Sequence, residues 1–165
     1  MAEAALLPEG ALLFEGRRWR AAYGRGGIRA DKREGDGATP VGLLALRRVL
    51  YRADRIAPPA CAVPREPIAP DDSWCETPGH PDYNRRVRLP HDTAREPLWR
   101  ADGLHDVIGV LGWNDDPVVS GRGSAILLHV ARPAYSPTEG CIALALPDLL
   151  ALLAGGLEAI RVDPA

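Results

Sequence analysis

Apolar and polar positions along the chain change rhythm several times, and each change predicts an element. Ala11-Leu12-Leu13-Phe14 and Trp19-Arg20-Ala21-Ala22-Tyr23 flank Glu15-Gly16 and read as two short strands joined by a hairpin turn. Gly42 to Tyr51 alternates loosely and predicts a strand, with Arg47 and Arg48 on its exposed side. The clearest buried strand is Asp106 to Trp113, carrying Val107, Ile108, Val110 and Leu111. Ala125 to Leu128 is an apolar run that delivers His129 at its end, and Ile142 to Leu146 is a second such run, entered through Cys141. Pro147 to Ala154 is the one good helix: Pro suits the first turn, Asp148 suits its positive end, and Gly155-Gly156 stops it. Leu157 to Val162 reads as a final strand. Short strands, Gly/Pro turns and one late helix predict a mainly β domain, a sandwich or partly open barrel.

Between these elements the chain is punctuated. Residues 31–42 form a polar, Gly-rich stretch expected to stay on the surface. Ile56 to Pro70 is Pro-rich, which favours extended backbone and excludes a helix or central strand. The segments on either side are too short to be separate domains. The expectation is therefore a single domain over residues 1–165, with its core at about 11–162 and a Pro-rich surface excursion at about 56–100.

Composition narrows the classes. A length of 165 residues suits one domain with a real core, and 46% apolar with 25% charged residues is ordinary for a globular chain. A net charge of −2 gives no basic field for nucleic acid, which is not an expected partner. Lys32 is the sole lysine among the basic residues and reads as compositional bias. No stretch approaches the eighteen apolar residues of a membrane span. The N-terminus as it stands lacks a basic region followed by a seven-residue apolar core, so no secretory signal is expected there. Gly24-Arg25-Gly26-Gly27 has no Gly-Lys-Ser/Thr of a phosphate loop.

Of the three cysteines, Cys61 and Cys75 would pair in an oxidising compartment and Cys141 would be the spare thiol. Cys75-x4-His80, near Asp82, matches no standard zinc spacing, so no metal site is expected and a polar loop anchored by Trp74 is favoured. His91-Asp92 reads as a solvated turn after Pro90. No cofactor is expected.

The chemistry concentrates in Ser124 to Leu146. A histidine ending one strand and a cysteine starting the next can meet, and an imidazole beside a thiol can take its proton and hold the ion pair at neutral pH. Gly140 lets the backbone turn with positive φ, so that amides near the sulfur face a developing oxyanion. Taken singly, Cys141 would be a core thiol and His129 a structural histidine. His105 is a weaker rival for the base.

The segment resembles the active-site signature of the L,D-transpeptidase catalytic domain (YkuD-type): His129 at a strand end, then Thr138-Glu139-Gly140-Cys141-Ile142. Asp36-Gly37-Ala38-Thr39-Pro40-Val41-Gly42 is similar to the family's Thr-Pro-x-Gly turn, and the two cover the chain from about Tyr23 to Ala154. The departures are Val130 where the family often has Gly, Ala143 where it commonly has Arg, and a shorter His-to-Cys loop. They bear on the substrate more than on the chemistry.

The resemblance implies an L,D-transpeptidase-like β-sandwich and a cysteine-dependent acyl transfer on peptidoglycan stem peptides, donor and acceptor alike. Cys141 would be the nucleophile and His129 the base, with the Val130 carbonyl orienting the imidazole. Gly140 and Cys141 amides would form the oxyanion hole, and Thr138, Tyr135 and Arg132 would contact substrate. Residues 31–42 would pack near the cleft, and Glu139 would be solvated. Water as acceptor would make the same thioester serve a carboxypeptidase or amidase, and an inert Cys141 would leave a binding domain of the same fold. The family implies the cell envelope and the missing signal leaves the cytoplasm open. Oligomeric state is not legible.

Overall fold

A computed structural model describes all residues 1–165. Its strands are β1 (Glu3–Leu7), β2 (Ala11–Phe14), β3 (Arg17–Arg20), β4 (Ile28–Arg29), β5 (Thr39–Pro40), β6 (Gly42–Tyr51), β7 (Arg65–Pro67), β8 (Asp72–Cys75), β9 (Arg85–Arg88), β10 (Val107–Gly112), β11 (Leu127–Val130), β12 (Ile142–Leu144) and β13 (Ala159–Val162), with one helix, α1 (Leu146–Ala154). The fold is mainly β, as the pattern predicts.

One large sheet runs in the order β12-β11-β10-β6-β13-β1-β2-β3, with β7 paired to β6 off that path. Its two ends meet. Just past β3, the Ala22 amide donates to Ala143 O (2.8 Å) and the Ala143 amide donates to Ala22 O (2.9 Å), so the sheet nearly closes on itself. Closure removes the edges that an open sheet would leave unpaired. Inside lies an apolar core that includes Leu12, Leu44, Leu128, Ile142, Leu144 and Ile160. α1 plugs it with Leu149, Leu152 and Leu153, all fully buried.

The β2–β3 hairpin turns at Glu15 (φ 50°) and Gly16 (φ 76°), two positive φ values in a two-residue loop whose twist matches that of the strands. β3 ends at Arg20, earlier than Tyr23, because from Ala22 onward the backbone leaves the β2 side for β12 and the loop before Cys141. The expected core starts too late: β1 pairs parallel with β13 and antiparallel with β2, and it buries Ala4 and Leu6.

The surface excursion also needs correction. β7 joins the sheet within the Pro-rich run, and β8 and β9 form a small antiparallel sheet of their own. This lobe is held largely by polar side chains. Arg86 bridges Asp72 (2.7 Å) and Glu66. Asn84 donates to the carbonyls of Trp113 and Asn114 while its Oδ1 accepts from Trp74 and from the Ala125 amide, so one buried side chain ties lobe to sheet. The stretch 31–42 is likewise less superficial than its composition suggests. Lys32 is nearly buried, its ammonium 2.5 Å from Asp36, and Glu34 accepts from Tyr83 and Ser124.

Candidate functional site

β11 and β12 pair in parallel, with Leu128 opposite Ile142 and His129 opposite Ala143. Alternation along a strand then sorts the side chains. Leu128, Ile142 and Leu144 enter the core, whereas Leu127 belongs to a second apolar cluster against which Cys141 packs. His129, Ala143 and Cys141 therefore share the outward face with Leu127. Cys141 stands just ahead of β12, level with Leu127. Strands lie about 4.8 Å apart and two residues span about 6.6 Å, so the Cys141 and His129 backbones are roughly 8 Å apart diagonally. In the resting structure the side chains do not meet: the Cys141 sulfur turns to Ala125 O and the His129 ring to Val130 O.

Gly140 has φ +135°, and a Cβ there would lie 2.8 Å from Ala38 O, so only glycine fits against this neighbouring loop. Thr39, fully buried, donates to Gly140 O (2.7 Å) and accepts from the Gly24 amide (2.9 Å). The Thr-Pro turn thus clamps the loop that presents the cysteine, which is the physical content of the expectation that residues 31–42 pack near the cleft.

His129 Nδ1 is 2.9 Å from Val130 O. That contact requires an N–H at Nδ1 and leaves Nε2 with its lone pair. Burial lowers the His129 pKa, with Arg100 and Arg132 adding to the effect, so the ring is neutral at pH 7. Cys141 Sγ donates to Ala125 O (3.3 Å), and burial pushes the thiol up to about 11. The Leu127 amide facing the sulfur works in the opposite direction. The resting state is therefore a neutral thiol and a neutral imidazole, not the preformed ion pair that proximity alone suggests.

The Gly140 amide donates to Thr138 Oγ1 (3.1 Å), and that hydroxyl donates in turn to Cys141 O (2.5 Å). Thr138 is thus a staple within the loop, and of the two expected oxyanion donors only the Cys141 amide has no acceptor within the chain. Arg132 lines a cavity with His129, while Tyr135 sits under Arg20 (4.2 Å) in a separate depression with Tyr23 and Pro137. Glu139 is exposed and pairs with Arg25 (2.9 Å).

Two cavities flank the pair. The larger, about 560 Å³, contains Cys141 together with Trp74, Glu76, Thr93 and Leu98. The smaller, about 270 Å³, contains His129, Ala143, Arg132 and Ser136. Arg100, His105 and Glu139 border both. The His105 ring lies edge-on to His129, centroids 5.7 Å apart, and donates through Nδ1 to Leu98 O (2.9 Å). Burial lowers its pKa to about 4. Its place between the cavities, and that of Arg100, comes from a segment that sequence patterning leaves as turns. The only hint was the buried strand that follows them.

Cys75, His80 and His91 bring donor atoms within 4.8 Å of one another, a proximity that the Cys75-x4-His80 spacing does not reveal. Both imidazoles are otherwise engaged. Their Nδ1 atoms accept backbone amides from Asp82 (2.9 Å) and Ala94 (3.0 Å), and their Nε2 atoms face Asp92 and Asp82 (2.9 Å each). The ring lone pairs a metal would need are taken, so the cluster is a cross-paired His–Asp clip. His91 is accordingly packed against His80, not solvated. All three cysteines are free thiols. Cys61 donates to Val63 O, and Cys75 lies buried beside Thr93, so the expected Cys61–Cys75 pairing is absent.

Neither a search of curated proteins nor one of solved structures returns a match to this chain. The family model for the L,D-transpeptidase catalytic domain, YkuD, matches residues 8–154, which span both the Thr-Pro turn and the His129–Cys141 loop. By that match over most of its length, the chain belongs to the L,D-transpeptidase catalytic domain family.

Proposed function

We propose that this protein is a cysteine-dependent acyl transferase acting on peptidoglycan stem peptides. The observation that carries the reading is the outward face shared by Cys141 and His129 on adjoining parallel strands, with the imidazole fixed so that Nε2 is the open nitrogen.

The sulfur attacks the carbonyl of the bond preceding a terminal D-residue, and the thiol proton passes to His129 Nε2. The Cys141 amide faces the developing oxyanion, a contact worth about 3 kcal/mol per donor in comparable sites. The protonated imidazole then gives its proton to the departing amine, leaving a thioester on Cys141. An amine acceptor displaces the sulfur in the second step. Because the resting thiol has a raised pKa, activation accompanies substrate binding. Action on this substrate would put the protein in the cell envelope.

Intact-protein mass spectrometry with a stem tetrapeptide tests the reading. The expected result is an acyl adduct on Cys141 that is absent in Cys141→Ala and forms at least about 100-fold more slowly in His129→Ala. No adduct with any stem peptide would sink it, and an adduct released only by water would assign hydrolysis instead of transfer. In the protein without substrate, iodoacetamide labelling of Cys141 is expected to keep rising towards pH 11, past the range of an ordinary thiol.

A further inference from the structure

The smaller cavity has a chemical character of its own. Ala143 lies at its base beside His129, where the family commonly carries arginine, and its methyl leaves the space open. Two guanidiniums border that space. Arg100 is doubly positioned: Arg52 donates to its carbonyl (2.6 Å), while its Nε and Nη2 bind Asp102, which also accepts from the Leu104 amide (3.1 Å). This leaves Nη1 of Arg100 without a partner. Arg132 has no ion pair, and Glu139, the acid on the cavity rim, is neutralised by Arg25. The hydroxyl of Ser136 completes a lining that suits an anion.

We propose that this cavity is a carboxylate subsite, in which Arg100 and Arg132 bind the α-carboxylate next to the amine that leaves or attacks the acyl group. The inference rests on the acyl-transfer reading and deepens it. In an amino acid the amine nitrogen and the carboxylate carbon are separated by one Cα. A carboxylate on Arg100 and Arg132 therefore holds that nitrogen beside His129, on the opposite flank from the cavity that contains Cys141. The same geometry serves both steps. In the first, the C–N bond breaks and the nitrogen takes the proton held on His129 Nε2. In the second, a nitrogen in the same place attacks the thioester carbon and the C–N bond forms. The C–S bond then breaks, and the proton taken up by Nε2 returns to the sulfur. Arg100 and Arg132 also lower the basicity of His129, and a bound carboxylate would offset their charge and restore it when a proton must be accepted.

The test compares carboxylates with carboxamides in the whole 165-residue chain. Donors are a stem tetrapeptide ending in D-alanine and the same peptide ending in D-alaninamide; acceptors are D-alanine and D-alaninamide. The expected preference for the carboxylate in kcat/KM is roughly 10- to 100-fold. It should collapse to within about threefold in Arg100→Ala and return in part in Arg100→Lys. Preference in acylation alone assigns the subsite to the leaving residue, and preference in the acceptor step alone assigns it to the acceptor. Equal use of acid and amide in both steps overturns it.

A binding measurement keeps the inference separate from the reaction. In Cys141→Ala, D-alanine and not D-alaninamide should shift the NMR signals of the His129 and His105 rings, and Arg100→Ala should abolish the shift. That result supports the subsite even if no acyl adduct ever forms. Identical behaviour of the two probes overturns it even if the adduct does.

Discussion

The closed sheet and the lobe built by residues 56–106 are held together by different physics. The sheet buries contiguous leucines, isoleucines and valines and satisfies its backbone through neighbouring strands. The lobe buries few large apolar side chains and instead saturates Asp72, Ser73 and Asn84 with hydrogen bonds. The first contribution scales with apolar area and is indifferent to pH; the second depends on geometry and charge. The candidate site lies where the two meet. The sheet fixes Cys141 and His129, and the lobe supplies Trp74, Leu98, Arg100 and His105 around them. A scaffold built on apolar packing thus holds the candidate pair while a region tied by polar side chains borders the cavities beside it.

This contrast can be broken most forcefully from the sheet side. Leu128→Ala removes a fully buried side chain between β10 and β12 and should cost about 3–4 kcal/mol, read as a lower denaturant midpoint for the whole chain. Next in size is Asn84→Ala, which strands the Trp74 indole N–H and the Ala125 amide and removes two bonds to carbonyls, for about 3 kcal/mol. Its signature differs: amide exchange should accelerate in β8 and β9 while β6, β10 and β13 stay protected. Uniform acceleration would show that lobe and sheet open as one.

Acid should separate the regions more gently. His105 has its pKa lowered from 6.5 to about 4 by burial, so the unfolded chain binds the extra proton first as pH falls. Its contribution is fully present above pH 6.5 and is lost on descending towards pH 4, on the order of 2–3 kcal/mol. Urea midpoints between pH 7 and 4 should fall less steeply in His105→Gln than in the native chain. The smallest effect belongs to Arg47→Ala. It removes an exposed pair with Asp115 and should move stability by no more than about 0.5 kcal/mol, lost in salt.

What the sequence reveals divides along the same boundary. β6 is legible from its loose alternation, β10 from a continuous Val/Ile/Leu run, and β2 from the Glu15-Gly16 turn that follows it. β1 is not, because Glu-Ala-Ala-Leu-Leu carries no strand preference of its own and becomes extended only by lying between β13 and β2. β8 reads as a polar loop since its buried Asp72 and Ser73 are satisfied by Arg86 and Glu96, partners distant in sequence. The candidate pair is visible because its residues sit on strand ends with glycine before cysteine. Arg100, His105 and Asn84 are invisible because their roles come from where turns fold back, which no local period encodes. The neutral resting thiol is also a property of burial and not of spacing.

The place of β13 has a consequence for how the chain is made. It lies inside the sheet, between β6 and β1, although it is the final strand in sequence. When a ribosome has released everything up to α1, the N-terminal hairpin and the β6-to-β12 half can each form, yet the inner flanks of β1 and β6 still lack their shared neighbour. β13 must then slip between two finished halves, joining Ala159 to both Glu3 and Ala45. Assembly of this sheet consequently waits on contacts between residues far apart in sequence, and until β13 docks, β1 and β6 each carry an unpaired, adhesive edge.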